Sequence, residues 1–251
     1  MLDYYDPTDI SSIQQRLSAA LHRTIDINST KLLMRHLSYV IEVSKNTNLT
    51  SITDIESGIL LHIEDSMAAL PEIESAIEGK LVDLGSGGGY PGIPLAIITG
   101  RNTTLIEATN KKALHLKTFV DEISSSDRIE VVAQRIENYS RSIKECFAVA
   151  TARALSSLPA LMELATPLLK IDGVLVAYKG NTTEIELQAA RKAEETIGME
   201  LQDIRKLTLS DGKTHREIIT YKKVRESSIQ LPRKTGKAQN SPLRQKPNLF
   251  T

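Results

Sequence analysis

Residues 85–89 contain four glycines and directly follow a short apolar run that carries one acid. The run Leu81–Leu84, which includes Asp83, is typical of a buried parallel strand. Glycines allow the chain to turn sharply and to approach a ligand closely. Pro91 then suits the first turn of a helix, and Gly100 suits its C-terminal cap. The stretch therefore predicts a strand, a glycine loop and a helix that bind a nucleotide-type cofactor.

The charges around this loop discriminate between cofactors. Tyr90 stands where the dinucleotide fingerprint requires glycine or alanine, and no Lys-Ser or Lys-Thr pair follows as in a P-loop. Asp83 would repel a pyrophosphate but attract S-adenosylmethionine, which carries an ammonium and a sulfonium group and no phosphate. Glu107, at the end of the next apolar run, is placed to reach ribose hydroxyls. These features favour S-adenosylmethionine over other nucleotides, although both acids could instead only cap strand ends.

The composition is typical of a soluble globular protein, with 251 residues of which 41% are hydrophobic and 25% charged. No secretory signal is visible, and no apolar run approaches the ~20 residues that span a bilayer. The single cysteine, Cys146, rules out an internal disulfide and a cysteine-based zinc site, and we expect it to be buried beside Phe147. His62 has no second histidine at metal-binding spacing, so we expect a packed core residue and no metal site. These features predict a cytoplasmic protein without membrane contact.

The zero formal net charge conceals a division between two parts of the chain. Residues 222–251 contain eight Lys or Arg and one Glu, whereas residues 1–221 carry 23 basic and 30 acidic side chains. Such an asymmetry indicates a basic arm for a polyanion. A solvated tail whose charge only aids solubility is the alternative.

The hydrophobic pattern predicts helices first and then an alternation of strands and helices. We expect helices near residues 10–22, 29–45, 55–70, 91–99, 110–124, 157–169 and 183–197, and strands near 81–84, 103–107, 128–133, 147–151, 173–178, 201–208 and 216–222. The alternation favours a parallel, doubly wound sheet, and residues 210–213 favour a closing antiparallel hairpin. By analogy this is the seven-stranded, mostly parallel sheet of the Rossmann-like class I methyltransferases. We predict an N-terminal helical extension (1–70), a methyltransferase domain (71–223) and a basic, extended tail (224–251).

No side chain is identified as a catalytic acid, base or nucleophile. The chain lacks the Pro-Cys pair of carbon-methylating enzymes and the Asn-Pro-Pro-aromatic clamp of adenine N6 methylation. Such a site suits an acceptor that is already nucleophilic, for which alignment matters more than proton transfer. Guanine N7 has a free lone pair and no proton, and other lone-pair acceptors would meet the same condition.

Several short motifs, in one linear order over most of the chain, carry a family resemblance. They are Asn48-Leu49-Thr50, His62 with Asp65-Ser66, Pro91-Gly92-Ile93-Pro94-Leu95, Lys111-Lys112, Arg135-Ile136-Glu137, Ala152-Arg153-Ala154, Lys179-Gly180, Arg216 and Pro232-Arg233-Lys234-x-Gly236. In these residues the chain resembles the bacterial ribosomal RNA small subunit methyltransferase G family, also called glucose-inhibited division protein B. It departs from the family pattern at Leu231, where tyrosine is common, at Thr151-Ala152, where serine is frequent, and at Glu107, where aspartate is usual.

The resemblance implies methyl transfer from S-adenosylmethionine to the N7 of one guanine in the 530 loop of 16S ribosomal RNA, in the small ribosomal subunit. By analogy with other proteins of this fold we expect a monomer. The cofactor-binding residues expected from the loop and the resemblance together are Asp83, Gly85, Gly87, Gly89, Tyr90, Glu107, Ala108, Thr109, Ile136, Glu137 and Arg153. The expected RNA-binding residues are Lys179, Arg216, Arg233, Lys234 and Lys237. A small-molecule methyltransferase and a non-catalytic ribosome assembly or binding factor remain as alternatives.

Overall fold

Seven strands form one sheet in the computed structural model, which describes residues 7–47, 49–123 and 127–243. The strands are β1 (Lys80–Leu84), β2 (Thr103–Ile106), β3 (Ile129–Val132), β4 (Phe147–Arg153), β5 (Leu169–Lys179), β6 (Met199–Thr208) and β7 (His215–Lys223). Their order is β3-β2-β1-β4-β5-β7-β6. The first five pair in parallel, whereas β7 is antiparallel to both β5 and β6. The predicted fold class, including the terminal hairpin, is confirmed.

The order of the strands determines where a ligand can bind. The chain winds outward from β1 through β2 to β3 and then returns to place β4 on the other side of β1. Ligands of such sheets bind beyond the carboxyl ends of the strands at this switch point. The residues that follow β1, β2 and β4 therefore meet at one edge of the sheet.

Helices cover both faces of the sheet. They are α1 (Pro7–Ala20), α2 (Ile27–Thr47), α3 (Ile55–Gly58), α4 (Asp65–Met67), α5 (Leu70–Ser75), α6 (Gly92–Thr99), α7 (Asn110–Glu122), α8 (Ile136–Ser142), α9 (Leu158–Ala165), α10 (Glu184–Ile197) and α11 (Lys237–Asn240). Helices α8 to α11 share one buried apolar cluster with the sheet, and α1 to α7 contribute to two others. No helix in the described part of the chain is long and apolar enough to cross a membrane.

The predicted helix over 55–70 is interrupted in its middle. Between α3 and α4 the backbone forms a π-helical segment, Ile59–Glu64, which contains His62 and leads directly into Asp65. π-Helical turns inside α-helices are rare and are frequently found at functional sites. Because a π turn holds an extra residue, it alters which side chains of the helix face the sheet edge.

Four other expectations are corrected. Helix α8 is absent from the sequence prediction, because its seven residues are too few for a clear apolar period. Strand β5 begins at Leu169 rather than near 173, since a register shift against β4 accommodates the extra residues. Cys146 is exposed, because it precedes the first buried residue of β4. The tail is not wholly extended, since it forms α11, with Ala238 buried; residues 244–251 of the predicted arm lie outside the described residues.

The N-terminal helices share their core with the sheet. Leu37 of α2 is fully buried in a cluster that also contains Ala148 and Val149 of β4. It also lies so close to Gly58 that a Cβ there would come within 2.5 Å of the Leu37 side chain. The helices before β1 are therefore packed as a part of the same core.

Leu37→Ala is expected to destabilise the sheet as well as the N-terminal helices. Truncation of a fully buried leucine costs ~2–5 kcal/mol, and a shared core transmits that loss to β4. Hydrogen exchange measured by mass spectrometry should show faster exchange of the β4 and β5 amides in one cooperative transition. Leu114→Ala, which truncates a leucine that is 63% exposed on α7, is the matched control. Faster exchange confined to α1 and α2 would contradict the shared core.

Candidate active site

The glycine loop is fastened to the end of β2. The backbone N–H groups of Gly85 and Ser86 both donate to the carbonyl of Ile106, at 2.9 and 3.0 Å. Gly87 has a φ of +56°, and a Cβ built there would meet nothing closer than Gly85 O at 4.0 Å. The backbone at Gly87 thus faces open space, which a ligand can occupy.

Asp83 has a different role from the one expected. Its side chain is 1% exposed and lies beneath the loop, where Oδ2 accepts from Gly92 N at 3.2 Å and Oδ1 accepts from Thr151 Oγ1 at 2.9 Å. It therefore joins β1, β4 and the start of α6 and does not line the cavity. This position indicates that Asp83 holds the loop in place, whereas a direct contact with the cofactor was expected. The same applies to Gly89, because its missing side chain would clash with Ile93, at 2.6 Å, and not with a ligand.

Glu107 connects the loop to the residues after β2. Its Oε2 accepts from Gly87 N at 3.0 Å, and its Oε1 accepts from Thr109 N at 2.7 Å. Each carboxylate oxygen has a second lone pair, which is free for a further donor. Glu107, Ala108 and Thr109 all line the cavity described below. Glu107 can therefore accept hydrogen bonds from a ligand while it fixes the loop.

Tyr90 lies between two histidines that come from the N-terminal helices. Its ring stacks on His62 with centroids 4.3 Å apart and an angle of 8°, and it meets His36 at 4.4 Å. Nε2 of His36 is 2.8 Å from the carbonyl of Gly88, so it must be the protonated nitrogen, because a carbonyl only accepts. The N-terminal helices thus hold the glycine loop by one hydrogen bond and a stack of rings.

Both histidines are neutral. Burial lowers the pKa of His36 to about 3, and burial together with the charge of Arg153 lowers the pKa of His62 to about 4. Arg153 Nη2 lies 3.4 Å from Nδ1 of His62, and Thr50 Oγ1 lies 2.8 Å from Nε2. Because a guanidinium only donates, Nε2 carries the proton of His62. The expectation of a plain core histidine missed this contact with Tyr90.

Arg153 is paired inside the protein. Its Nη1 donates to Asp65 Oδ2 at 3.0 Å and to the carbonyl of Leu61 at 2.9 Å, and Arg216 Nε donates to the other oxygen of Asp65 at 2.8 Å. Asp65 is only 2% exposed, and its buried negative charge is offset by the two guanidinium groups. Arg153 therefore lines the site as part of an ion-paired network and not as a free anion-binding side chain.

Two cavities meet at this edge of the sheet. The first, of about 460 Å³, extends from the glycine loop to α8, and the second, of about 470 Å³, extends from Arg153 towards Lys179 and Arg216. The lining residues that both share are His62, Arg153 and Ala154. The first cavity has the size of a cofactor site, and it has an open glycine backbone and an acceptor carboxylate. The residues present therefore fit S-adenosylmethionine.

Most of the expected cofactor-binding residues meet at the first cavity. Those that line it are Gly85, Gly87, Tyr90, Glu107, Ala108, Thr109, Ile136, Glu137 and Arg153. Lining residues that the sequence analysis did not select include Thr50, His62, Ser86, Lys112, Gln134, Arg135 and Gln239. Several of these lie within the motifs of the family resemblance, which was the available signal. Gln239 had none.

A C-terminal strap, residues 231–243, closes the first cavity beside α8. Gly236 N donates to Glu137 Oε1 at 2.6 Å, and Gln239 lines the cavity. Arg233 makes two hydrogen bonds of 2.6 Å to Glu163, which is 1% exposed. This part of the tail is therefore folded against the domain, which the sequence did not indicate.

The expected RNA-binding residues differ in their surroundings. Lys179 is held by Glu186 at 2.7 Å, Arg216 by Asp65, and Arg233 by Glu163. Lys234 and Lys237 are exposed on the strap and have no ion pair with a described residue. Only the last two present a free charge.

Asp83→Asn is expected to change how stability depends on pH. Burial raises the pKa of Asp83 to about 6, so the folded state disfavours the charged form. The protonated form of Asp83 contributes its full stability below pH ~4, and this contribution is lost as the pH rises through ~6. Between pH 4 and pH 7 the free energy of unfolding of the wild type should therefore fall by ~2–3 kcal/mol relative to that of Asp83→Asn.

Urea unfolding of both proteins at pH 4 and at pH 7 measures this change. A constant difference between the two proteins would contradict the assignment. Asp83→Ala should be destabilised at both pH values, since Gly92 N loses its acceptor.

Comparison with known proteins shows the family of the chain. A family model described as rRNA small subunit methyltransferase G (GidB) matches residues 29–219. Three relatives of the chain are named ribosomal RNA small subunit methyltransferase G. The protein from Desulfitobacterium hafniense is 36% identical over 81% of this chain and 85% of its own length. Those from Pseudothermotoga lettingae and Bacillus velezensis are 35% and 31% identical, over 87% and 92% of this chain and 94% and 99% of their own lengths.

A crystal structure of a mutant of MtNAS matches 87% of this chain and 76% of its own at 13% identity and a TM-score of 0.51, a likeness of fold alone. The family match and the relatives confirm the predicted enzyme class and cofactor. The chain belongs to the rRNA small subunit methyltransferase G family and is an S-adenosylmethionine-dependent methyltransferase.

Proposed function

We propose that the protein transfers a methyl group from S-adenosylmethionine to the N7 of a guanine in the 530 loop of 16S ribosomal RNA. The observation that carries the proposal is the junction of the two cavities at His62, Arg153 and Ala154. The first cavity would hold the cofactor and the second the target base, so that the reacting atoms meet at the junction. Enzymes that modify a base in this way take it out of its stack into a pocket.

Different residues of the first cavity would contact different parts of the cofactor. Glu107 would accept from the ribose hydroxyls, with Ala108 and Thr109 beside it, and Ile136 and Glu137 would lie near the adenine. The open backbone of Gly87 would admit the amino acid portion of the cofactor, close to Tyr90. Asp83 contributes from below, by holding the loop in position.

The junction suits an acceptor that needs no proton transfer. S-adenosylmethionine supplies an electrophilic methyl group, and guanine N7 offers a lone pair without a proton. His62 is neutral, with a pKa of about 4, so it is a weak base near pH 7. Arg153 is offset by Asp65, so the side chains at the junction add little net charge against the cationic methylated base. Catalysis would then rest on alignment of the methyl donor and the acceptor.

Glu107→Gln is expected to weaken cofactor binding by about 10- to 100-fold. A glutamine has only one acceptor oxygen, so a ribose hydroxyl that donates to the other carboxylate oxygen of Glu107 would lose its acceptor on binding, and an unsatisfied donor costs ~1–3 kcal/mol. Calorimetric titration with S-adenosylmethionine measures the effect. Glu130→Gln is the matched control, because Glu130 lies on β3, bonds Thr104 and does not line the cavity. Equal affinities for the three proteins would refute the ribose assignment.

Three parts of the chain would have separate roles in the reaction. We propose a monomeric cytoplasmic enzyme whose substrate is the RNA of the small ribosomal subunit. Residues 1–70 would act as an extension that holds the glycine loop through His36 and His62. Residues 71–223 would carry the catalytic fold, and residues 224–251 would be the tail whose strap borders the cofactor.

Methyl transfer from labelled S-adenosylmethionine to unmodified small ribosomal subunits tests the function. The expected product is one 7-methylguanine in the 530 loop, mapped by chain cleavage at the modified base. Free 16S ribosomal RNA, tested in parallel, separates a requirement for the assembled particle from recognition of RNA alone. Cofactor binding with subunit binding but no transfer would instead favour an assembly factor. Transfer to small molecules only would favour the small-molecule alternative.

A further inference from the structure

Five of the cations on one flank of the site are held by carboxylates. This flank lies around the second cavity and the β6–β7 hairpin. Its ion pairs are Arg153–Asp65, Arg216–Asp65, Lys179–Glu186, Arg205–Glu72 and Lys206–Glu217, with N···O distances of 2.6–3.2 Å. A polyanion that binds there has to compete with acids already in place.

The cations on the opposite flank are unpaired. We name this set the cationic rim. Its members are Lys111, Lys112, Arg135, Arg141, Lys234 and Lys237. Among the described residues, none of the six has a carboxylate within the 4.0 Å of an ion pair. All are exposed except Lys112, which is half-buried.

Hydrogen bonds join two parts of the rim, α8 and the strap. Thr235 Oγ1 donates to Asn138 Oδ1 at 3.1 Å, Arg141 Nη1 donates to the same oxygen at 2.6 Å, and Gly236 N is bonded to Glu137. The strap therefore lies against α8, next to Arg135. Lys112 and Arg135 line the cofactor cavity itself, so the rim borders that cavity.

Three acids of the cofactor cavity and of the strap's packing surface have partners within the fold. Glu137 accepts from Gly236 N, Glu163 from Arg233, and Glu107 from Gly87 and Thr109. These three carboxylates are each less than 10% exposed. Their hydrogen bonds satisfy buried backbone and guanidinium donors and leave the outer cations available.

The position of two rim lysines opposes helix stability. Lys111 and Lys112 lie in the first turn of α7, which contains no acid. Positive charge is disfavoured at a helix N-terminus, where the macrodipole and the free N–H groups favour anions. An external anion would relieve this unfavourable arrangement.

We propose that the cationic rim binds phosphates of the RNA segment that flanks the target guanine, on the cofactor side of the site. The inference rests on the proposed function, since that supplies the polyanion. It excludes Arg233, Arg216 and Lys179 from phosphate contact, because their charges are held by Glu163, Asp65 and Glu186. Contacts on the rim would run along the adenine end of the cofactor cavity, so the RNA would cover the bound cofactor.

The test compares two triple variants that remove equal charge. The rim variant carries Lys111→Gln, Lys234→Gln and Lys237→Gln, none of which lines the cofactor cavity. The control carries Lys170→Gln, Lys206→Gln and Lys213→Gln, three exposed lysines outside the rim. Binding of each to unmodified small subunits and to free 16S ribosomal RNA is measured over a range of salt concentrations, with calorimetry for S-adenosylmethionine alongside.

The rim variant should lose affinity for RNA, and the slope of log K against log salt should fall by about 2–3, since each lost phosphate contact removes about 0.7–1. Its cofactor affinity should match that of the wild type, and its melting temperature should be no lower, since Lys111→Gln removes a positive charge from the first turn of α7. An unchanged salt slope in the rim variant, or an equal loss of RNA affinity in the control variant, would contradict phosphate binding by the rim. The proposed function would stand in that case, provided that the wild type binds RNA. A wild type that binds neither subunits nor RNA would overturn both.

Discussion

The buried carboxylate of Asp83 is the contact on which the arrangement of the site depends. It accepts from Gly92 N and Thr151 Oγ1, so one side chain of β1 fixes the first turn of α6 and the adjacent strand β4. The residues between Asp83 and Gly92 include the whole glycine loop. The turn is thus held at both ends before any ligand binds. A group with a pKa of about 6 at this position costs stability in its charged form, which indicates that the geometry of the loop outweighs that cost.

The N-terminal helices complete what the sheet alone leaves open. His36 bonds the carbonyl of Gly88, and His62 stacks on Tyr90, so the outer side of the loop rests on α2 and on the π-helical segment. The same segment brings Asp65 to Arg153 and Arg216. These contacts surround the reaction site with the neutral rings of His36 and His62 and with the ion-paired guanidinium of Arg153. Such surroundings are compatible with a transfer that begins with a cationic donor and ends with a cationic base.

Ion pairs also reduce the positive charge that the tail presents at the surface. The basic surplus of the tail is partly consumed, because Arg233 is held by Glu163 and Lys223 is buried against Glu145 and Glu226. Charge counts along the chain therefore overstate what the surface offers to a polyanion. The count describes the tail as one basic arm, whereas its described part contains a strap that folds beside the cofactor cavity and presents two exposed lysines, Lys234 and Lys237.

Local sequence determined the strand, glycine loop and helix around Gly85, the alternation that builds the sheet, and the closing hairpin. These features depend on backbone freedom and apolar period over a few neighbouring residues, which a sequence displays directly. Tertiary structure alone decided that Asp83 faces inward, that His62 meets Tyr90, and that the strap reaches Glu137. The partners in these contacts are far apart along the chain, 68 residues for Asp83 with Thr151 and 99 for Glu137 with Gly236. No local pattern encodes such a meeting, because it is set by which strand ends the sheet brings to one edge.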